Sequence, residues 1–132
     1  MKTKDDYYLV PFKKLKSTKA WKLTSEYVRR KSKGVCYTCG KKYEWKELHA
    51  GHFIEKQGHA SIYMDLSGLR GQCYRCNRLL HGNLDIYGQK LRKEIGEKSV
   101  EELYKKSRKT KMWTKAELKK IEIQMEKLIN EL

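Results

Sequence analysis

Residues 71–83 read "GQCYRCNRLLHGN", and this stretch decides the fold. It holds a C-x-x-C pair, Cys73 and Cys76, followed at once by Asn77 and then by His81. Upstream lies the matching pair, Cys36 and Cys39, in "CYTCGK". Two thiolates at this spacing occupy two corners of a tetrahedron from one tight turn, and a second such turn closes a four-sulfur shell. The four cysteines are therefore expected to bind structural Zn2+. Two disulfides are the alternative in a secreted chain, but no export signal precedes the domain. A closed four-sulfur site is not catalytic, so the chemistry belongs to residues that the zinc holds in place.

Between the pairs, "ELHAGHFIE" predicts a strand that carries His49 and His52, and "ASIYMDL" predicts a second strand. Asn77 and His81, four residues apart at the start of a helix, project from one face and are a candidate pair of metal ligands. Gly40 suits the first knuckle turn. Asn83 caps a helix over "LDIYGQKLRKEI", which Gly96 ends.

Working outward, residues 17–31 place Ala20, Trp21, Thr24 and Val28 at helical steps with a basic outer face. Residues 1–16 give no clear period and are expected to form an extended arm. Beyond Gly96, Ser99 with Glu102 and Thr114 with Glu117 match the capping-box spacing, predicting two further helices. In the last of them Leu118, Ile121, Met125, Leu128 and Leu132 form an a/d stripe, which covers either the domain core or a homodimer interface. The expected architecture is α+β, a small zinc-stapled core with flanking basic helices. It divides into an arm (1–16), a core with its leading and following helices (17–96) and a C-terminal helical extension (97–132).

The chain has 132 residues with 31 Lys and Arg against 16 Asp and Glu, a net charge of +15. That balance points to a polyanionic partner, with DNA foremost. No long apolar segment or lipidation motif supports a membrane partner, and a cytoplasmic location is expected. Arg70, Arg75 and Arg78 flank the second knuckle and suit phosphate recognition. Lys105, Lys106, Arg108, Lys109 and Lys111 form a second basic run next to Trp113, which either stacks on an exposed base or anchors the core.

A Gly-His on a strand followed by C-x-x-C-Asn entering a helix resembles the ββα-metal fold of HNH nucleases in their zinc-stapled form. The resemblance implies His52 as general base, with Asn77 and His81 on one divalent ion, Mg2+ or Mn2+. His49 joins them if the strand bulges. Two positions depart from the usual pattern: Gly51 stands where a metal-ligating Asp or His is common, and Gly68 aligns near an Asn that orients the loop over the base. A narrower resemblance covers residues 20–95. "SEYVRR", "CYTCGK", "AGHFI", "QCYRCNRLLHGN" and "LDIYGQKL" are similar, in order, to the phage NinG (Rap) recombination endonucleases, in which the glycine before the histidine is part of the pattern. This resemblance implies a structure-selective, metal-dependent endodeoxyribonuclease acting on Holliday junctions and D-loops in the bacterial host cell. The competing expectations are a non-catalytic zinc-containing DNA-binding module, a general HNH nicking nuclease, and a domain that binds acidic protein.

Overall fold

In the computed structural model, which describes residues 2–132, two short ribbons are set among four helices. Met1 lies outside the described residues. The central ribbon pairs β2 (His49–His52) antiparallel to β3 (Leu69–Gln72), with His49 opposite Gln72 and His52 opposite Leu69. The outer ribbon pairs β1 (Leu9–Val10) with β4 (Trp113–Thr114), joining segments far apart in sequence. The helices are α1 (Lys19–Lys31), α2 (Leu84–Ile95), α3 (Glu97–Ser107) and α4 (Lys115–Asn130). The protein is thus α+β with two small antiparallel sheets.

Local sequence explains most of these limits. Thr18 begins α1 by accepting from the Trp21 amide at 3.2 Å, and Thr114 with Glu117 makes a reciprocal capping box for α4. Gly96, at φ +89°, ends α2 and donates its amide to the Arg92 carbonyl. That same glycine precedes α3, so Ser99 falls inside the helix, and the capping box expected from Ser99 and Glu102 is not formed.

The core has three parts. Phe53, Ile62, Tyr87, Leu91, Val100 and Leu103 join the ribbon to α2 and α3. Leu15, Ala20, Tyr63, Met64 and Leu118 join the N-terminal segment, α1 and α4. The cysteines and Leu48 make the third. Residues 2–16 are therefore not an extended arm: β1 is paired, and Leu15 is fully buried in a 3-10 segment (Phe12–Ser17). Of the heptad stripe, Leu118 and Met125 are buried within the protein, where α4 packs on α1.

The second strand is also displaced from its expected place. Residues Ala60–Ile62 form a 3-10 turn, and Ser61, Ile62, Tyr63 and Met64 are all buried. A half-buried strand would alternate, whereas this turn lies between elements on both sides. The Ser61 hydroxyl donates to the Lys106 carbonyl (2.6 Å), and the Trp113 indole donates to the Ala60 carbonyl (2.9 Å). Strand β3 falls instead on "LRGQ", where Gly71 lets α1 approach closely: a β-carbon there would lie 2.9 Å from Ser32 Cβ. No helix among the described residues is long and apolar enough to cross a membrane.

Candidate metal centre and the groove beside it

The first knuckle is a closed turn in which the Gly40 amide donates to the Cys36 carbonyl and the Cys36 amide to the Lys41 carbonyl, both at 2.9 Å. Gly40 takes φ +75°, which suits glycine. The second knuckle runs from β3 into a π-helical turn (Arg75–Leu79). Together they bring the four cysteine sulfurs within 4.8 Å of one another. Cys39 Sγ and Cys73 Sγ are 3.8 Å apart, far beyond a disulfide bond of about 2.05 Å. That separation is the edge of a tetrahedron whose centre lies about 2.3 Å from each corner, the zinc–sulfur distance. The donor set fits a structural zinc ion.

Hydrogen bonds prepare the sulfurs for this role. The Cys76 amide points at Cys73 Sγ (3.4 Å), and the Asn83 side-chain amide points at Cys76 Sγ (3.7 Å). Gln72 Nε2 donates to the Thr38 hydroxyl, leaving that hydroxyl's own proton for Cys36 Sγ at 3.5 Å. Burial raises the Cys36 pKa, but the amides of Cys39 and Cys73 and the Thr38 hydroxyl outweigh it and bring the thiol down to about 6. Burial pushes Cys39 up to about 12, and the neighbouring Cys36 and Cys73 sulfurs add to the rise. Four ionised sulfurs in one place need a cation between them.

Beside this centre a groove of about 400 Å³ is lined by His52, Asn77 and His81, with Lys56, Arg78 and Glu55. His52 is half-buried. Its ring stacks on Trp21 (5.2 Å between centroids, 17° between planes) and meets the edge of Tyr63. Its Nε2 lies 2.9 Å from the Tyr63 carbonyl. A carbonyl only accepts, so Nε2 carries the hydrogen and Nδ1 keeps the lone pair. Burial lowers the His52 pKa to about 4, the Tyr63 carbonyl opposing and Lys56 assisting, which keeps the ring neutral at pH 7.

Asn77 and His81 reach this groove by an unexpected route. They do not share the face of a regular helix: the π-helical turn ends at Leu79, His81 takes a left-handed φ of +51°, and α2 begins only at Leu84. Asn83 precedes α2 as expected, yet its side chain serves Cys76 Sγ rather than the helix amides. His49 lies outside the groove lining. Its Nδ1 is 3.2 Å from Asn77 Nδ2, which donates to it and leaves Asn77 Oδ1 free. Burial, then Arg78 and Arg29, lower the His49 pKa.

The other basic candidates separate. Arg78 lines the groove, and Arg75 is exposed on the π-helical turn. Arg70 lines a different cleft, held by Glu94 (3.1 Å) and by the carbonyls of Leu66, Ser67 and Leu69. Lys105, Lys106, Lys109 and Lys111 line another surface depression, with Lys106 paired to Asp65 (2.8 Å) and Lys111 to Glu117. Arg108 is exposed in the turn that follows α3. Trp113, hydrogen-bonded to Ala60 and packed on the second core cluster, is an anchor.

Both departing glycines have packing causes. A β-carbon at Gly51 would lie 1.9 Å from Gln72 Oε1, and one at Gly68 would lie 2.8 Å from Leu103 Cδ2. The Tyr87 hydroxyl ties β2 to the turn before β3, its one proton shared between the carbonyls of Gly51 (2.8 Å) and Gly68 (3.3 Å). Sequence reasoning passed over Glu55 and Lys56, although both follow His52 closely; it placed Trp21 only on a helix face, and Tyr63 only within the expected strand "ASIYMDL". Trp21 carried no local signal for its stacking on His52, because that contact is made between distant elements.

Fold and site define a small, strongly basic α+β protein in which a four-cysteine centre fixes a histidine-bearing ribbon against a polar groove. The chain belongs to the NinG family, described as the bacteriophage lambda NinG protein, whose family model matches residues 9–132. No curated protein and no solved structure matches it.

Proposed function

We infer that the protein is a zinc-stapled, divalent-metal-dependent endodeoxyribonuclease of the HNH type that hydrolyses phosphodiester bonds in branched DNA during phage recombination. The observation that carries this reading is the meeting of His52, Asn77 and His81 in one groove with Lys56 and Arg78. His52, neutral with its lone pair on Nδ1, takes the proton of the attacking water there. Lys56 and Arg78 hold the phosphate, their charges uncancelled by any ion pair among the described residues. Asn77 Oδ1, His81 and Glu55 would hold the divalent ion, magnesium or manganese, which when bound stabilises the charge that develops on the phosphate oxygens. Membership of a bacteriophage protein family supports the recombination role.

A non-catalytic zinc-containing DNA module is the second reading. It is favoured by one observation: among the described residues only the four cysteines form a close cluster of His, Cys, Asp or Glu ligand atoms. Incision of a labelled four-way junction and of a matched linear duplex, with and without magnesium or manganese, separates the readings. Metal-dependent incision of the junction alone is expected. Equal cutting of both describes a general nicking nuclease, and binding without cutting describes the DNA module. Paired incisions need two grooves, hence a two-fold dimer; the apolar residues left exposed for pairing are Ile123 on α4 and Leu132 just beyond its end.

A further inference from the structure

The knuckle that carries Asn77 also carries large apolar side chains that the fold leaves uncovered. Tyr74, Leu79, Leu80, Leu84 and Ile86 are 57, 60, 40, 45 and 42% exposed, while Cys73, Cys76 and Tyr87 in the same stretch are buried. One exposed leucine is ordinary, but five large apolar residues left exposed within residues 74–86 are a dense run along the chain, and such a run suits an interaction surface. Exposed Arg75 and Arg78 stand among these residues, and the groove starts beside them at Asn77 and His81.

The backbone under the run is tightly tied. The Leu80 amide donates to the Arg75 carbonyl and the Gly82 amide to the Cys76 carbonyl (2.8 Å each), and the Asn83 amide donates to the Leu80 carbonyl (2.9 Å). The Gly82 carbonyl accepts from Gln72 Nε2 at 2.9 Å. A stiff turn therefore presents two adjacent leucines with arginines on the same turn. The arginines suit phosphates, and the leucines suit the apolar face of a base pair. Apolar side chains of DNA-binding proteins wedge between base steps at the cost of unstacking them. Where the arms of a branch are not coaxially stacked the base stack ends there, so the face is available without that cost.

We propose that Leu79 and Leu80 form a wedge that packs on the terminal base pair at a DNA branch, with Arg75 and Arg78 on the flanking phosphates, so that the protein prefers branched over linear DNA. The proposal rests on the reading of the protein as one that acts on DNA, and it supplies the branch preference that the catalytic groove does not. Charge selects the occupant: a second copy of this chain, itself at +15, would bring like charge against the two arginines.

The test uses the full zinc-loaded chain as wild type, as the double variant L79S/L80S and as the conservative L79M/L80M, with zinc content confirming the fold of each. Affinity is measured for a four-way junction and for a linear duplex of equal length at one salt concentration. A junction with 2-aminopurine at the branch reports contact with the base. Wild type and the methionine variant are expected to prefer the junction by about tenfold, the size of one stacking contact, and to change the 2-aminopurine fluorescence. The serine variant is expected to lose both while keeping its duplex affinity. The proposal is overturned if wild type shows no preference, if the serine variant keeps preference and signal, or if it loses junction and duplex affinity alike. It is also overturned if the serine variant differs from wild type in oligomeric state by sedimentation, which marks the leucines as a protein interface. Preference and signal without any incision would count against the nuclease reading and leave the wedge standing. Incision by a serine variant with intact preference would do the reverse.

Discussion

The two nitrogens of His52 have different tasks, and the Tyr63 carbonyl divides them: Nε2–H is held by the backbone and Nδ1 is left basic. The folded ring has a pKa of about 4 against an ordinary 6.5. Between those values the unfolded chain binds a proton that the folded chain refuses. The stability contributed by neutral His52 is complete above pH 6.5 and is lost as pH falls toward 4, by up to about 3 kcal/mol. Urea denaturation of wild type and His52→Asn at pH 7 and pH 4.5 checks this: wild type is expected to lose more stability than the variant, zinc release being common to both. Gly51 gives a second prediction at this scale. Gly51→Ala forces a methyl group onto the Gln72 amide and is expected to cost about 1–3 kcal/mol of unfolding free energy, measured by thermal denaturation.

Elements were legible where their signals were local. Helix α2 follows "LDIYGQKLRKEI" from end to end, and the Thr114–Glu117 box starts α4, because caps and periodic faces act within a few residues. The cysteine spacing likewise announced the gathering of the four sulfurs. The turn over residues 60–62 and the pairing of β1 with β4 were not legible, since each is decided by an element far away in sequence. The same holds in the groove: His52, Asn77 and His81 stood out as residue types, whereas the π-helical turn that carries Asn77, the left-handed backbone at His81 and the Trp21 ring that backs His52 had no such local signal. Trp21→Ala is expected to destabilise the protein by about 3 kcal/mol and to loosen the His52 ring, seen as a shift of its titration toward 6.5 by NMR. Metal analysis of the wild type is expected to find one zinc ion per chain, and Cys73→Ser is expected to abolish both it and cooperative folding, read by thermal melting.

Over the whole molecule the charge is distributed unevenly in use. Arg70, Lys106 and Lys111 are engaged by Glu94, Asp65 and Glu117, while Lys56 and Arg78 beside the groove have no acidic partner among the described residues. DNA affinity is therefore expected to fall steeply with salt, and Arg78→Ala to reduce the slope of log K against log salt by about 1. Binding alone does not separate a nuclease from a DNA-holding module, because both need this surface. Single-turnover incision of a four-way junction by zinc-loaded wild type and His52→Ala, at saturating protein with magnesium or manganese, does separate them. The rate should fall by about 10²–10⁴ in the variant while junction affinity and zinc content stay unchanged. An undiminished rate in a folded, DNA-bound His52→Ala protein would contradict the assignment of His52 as the base.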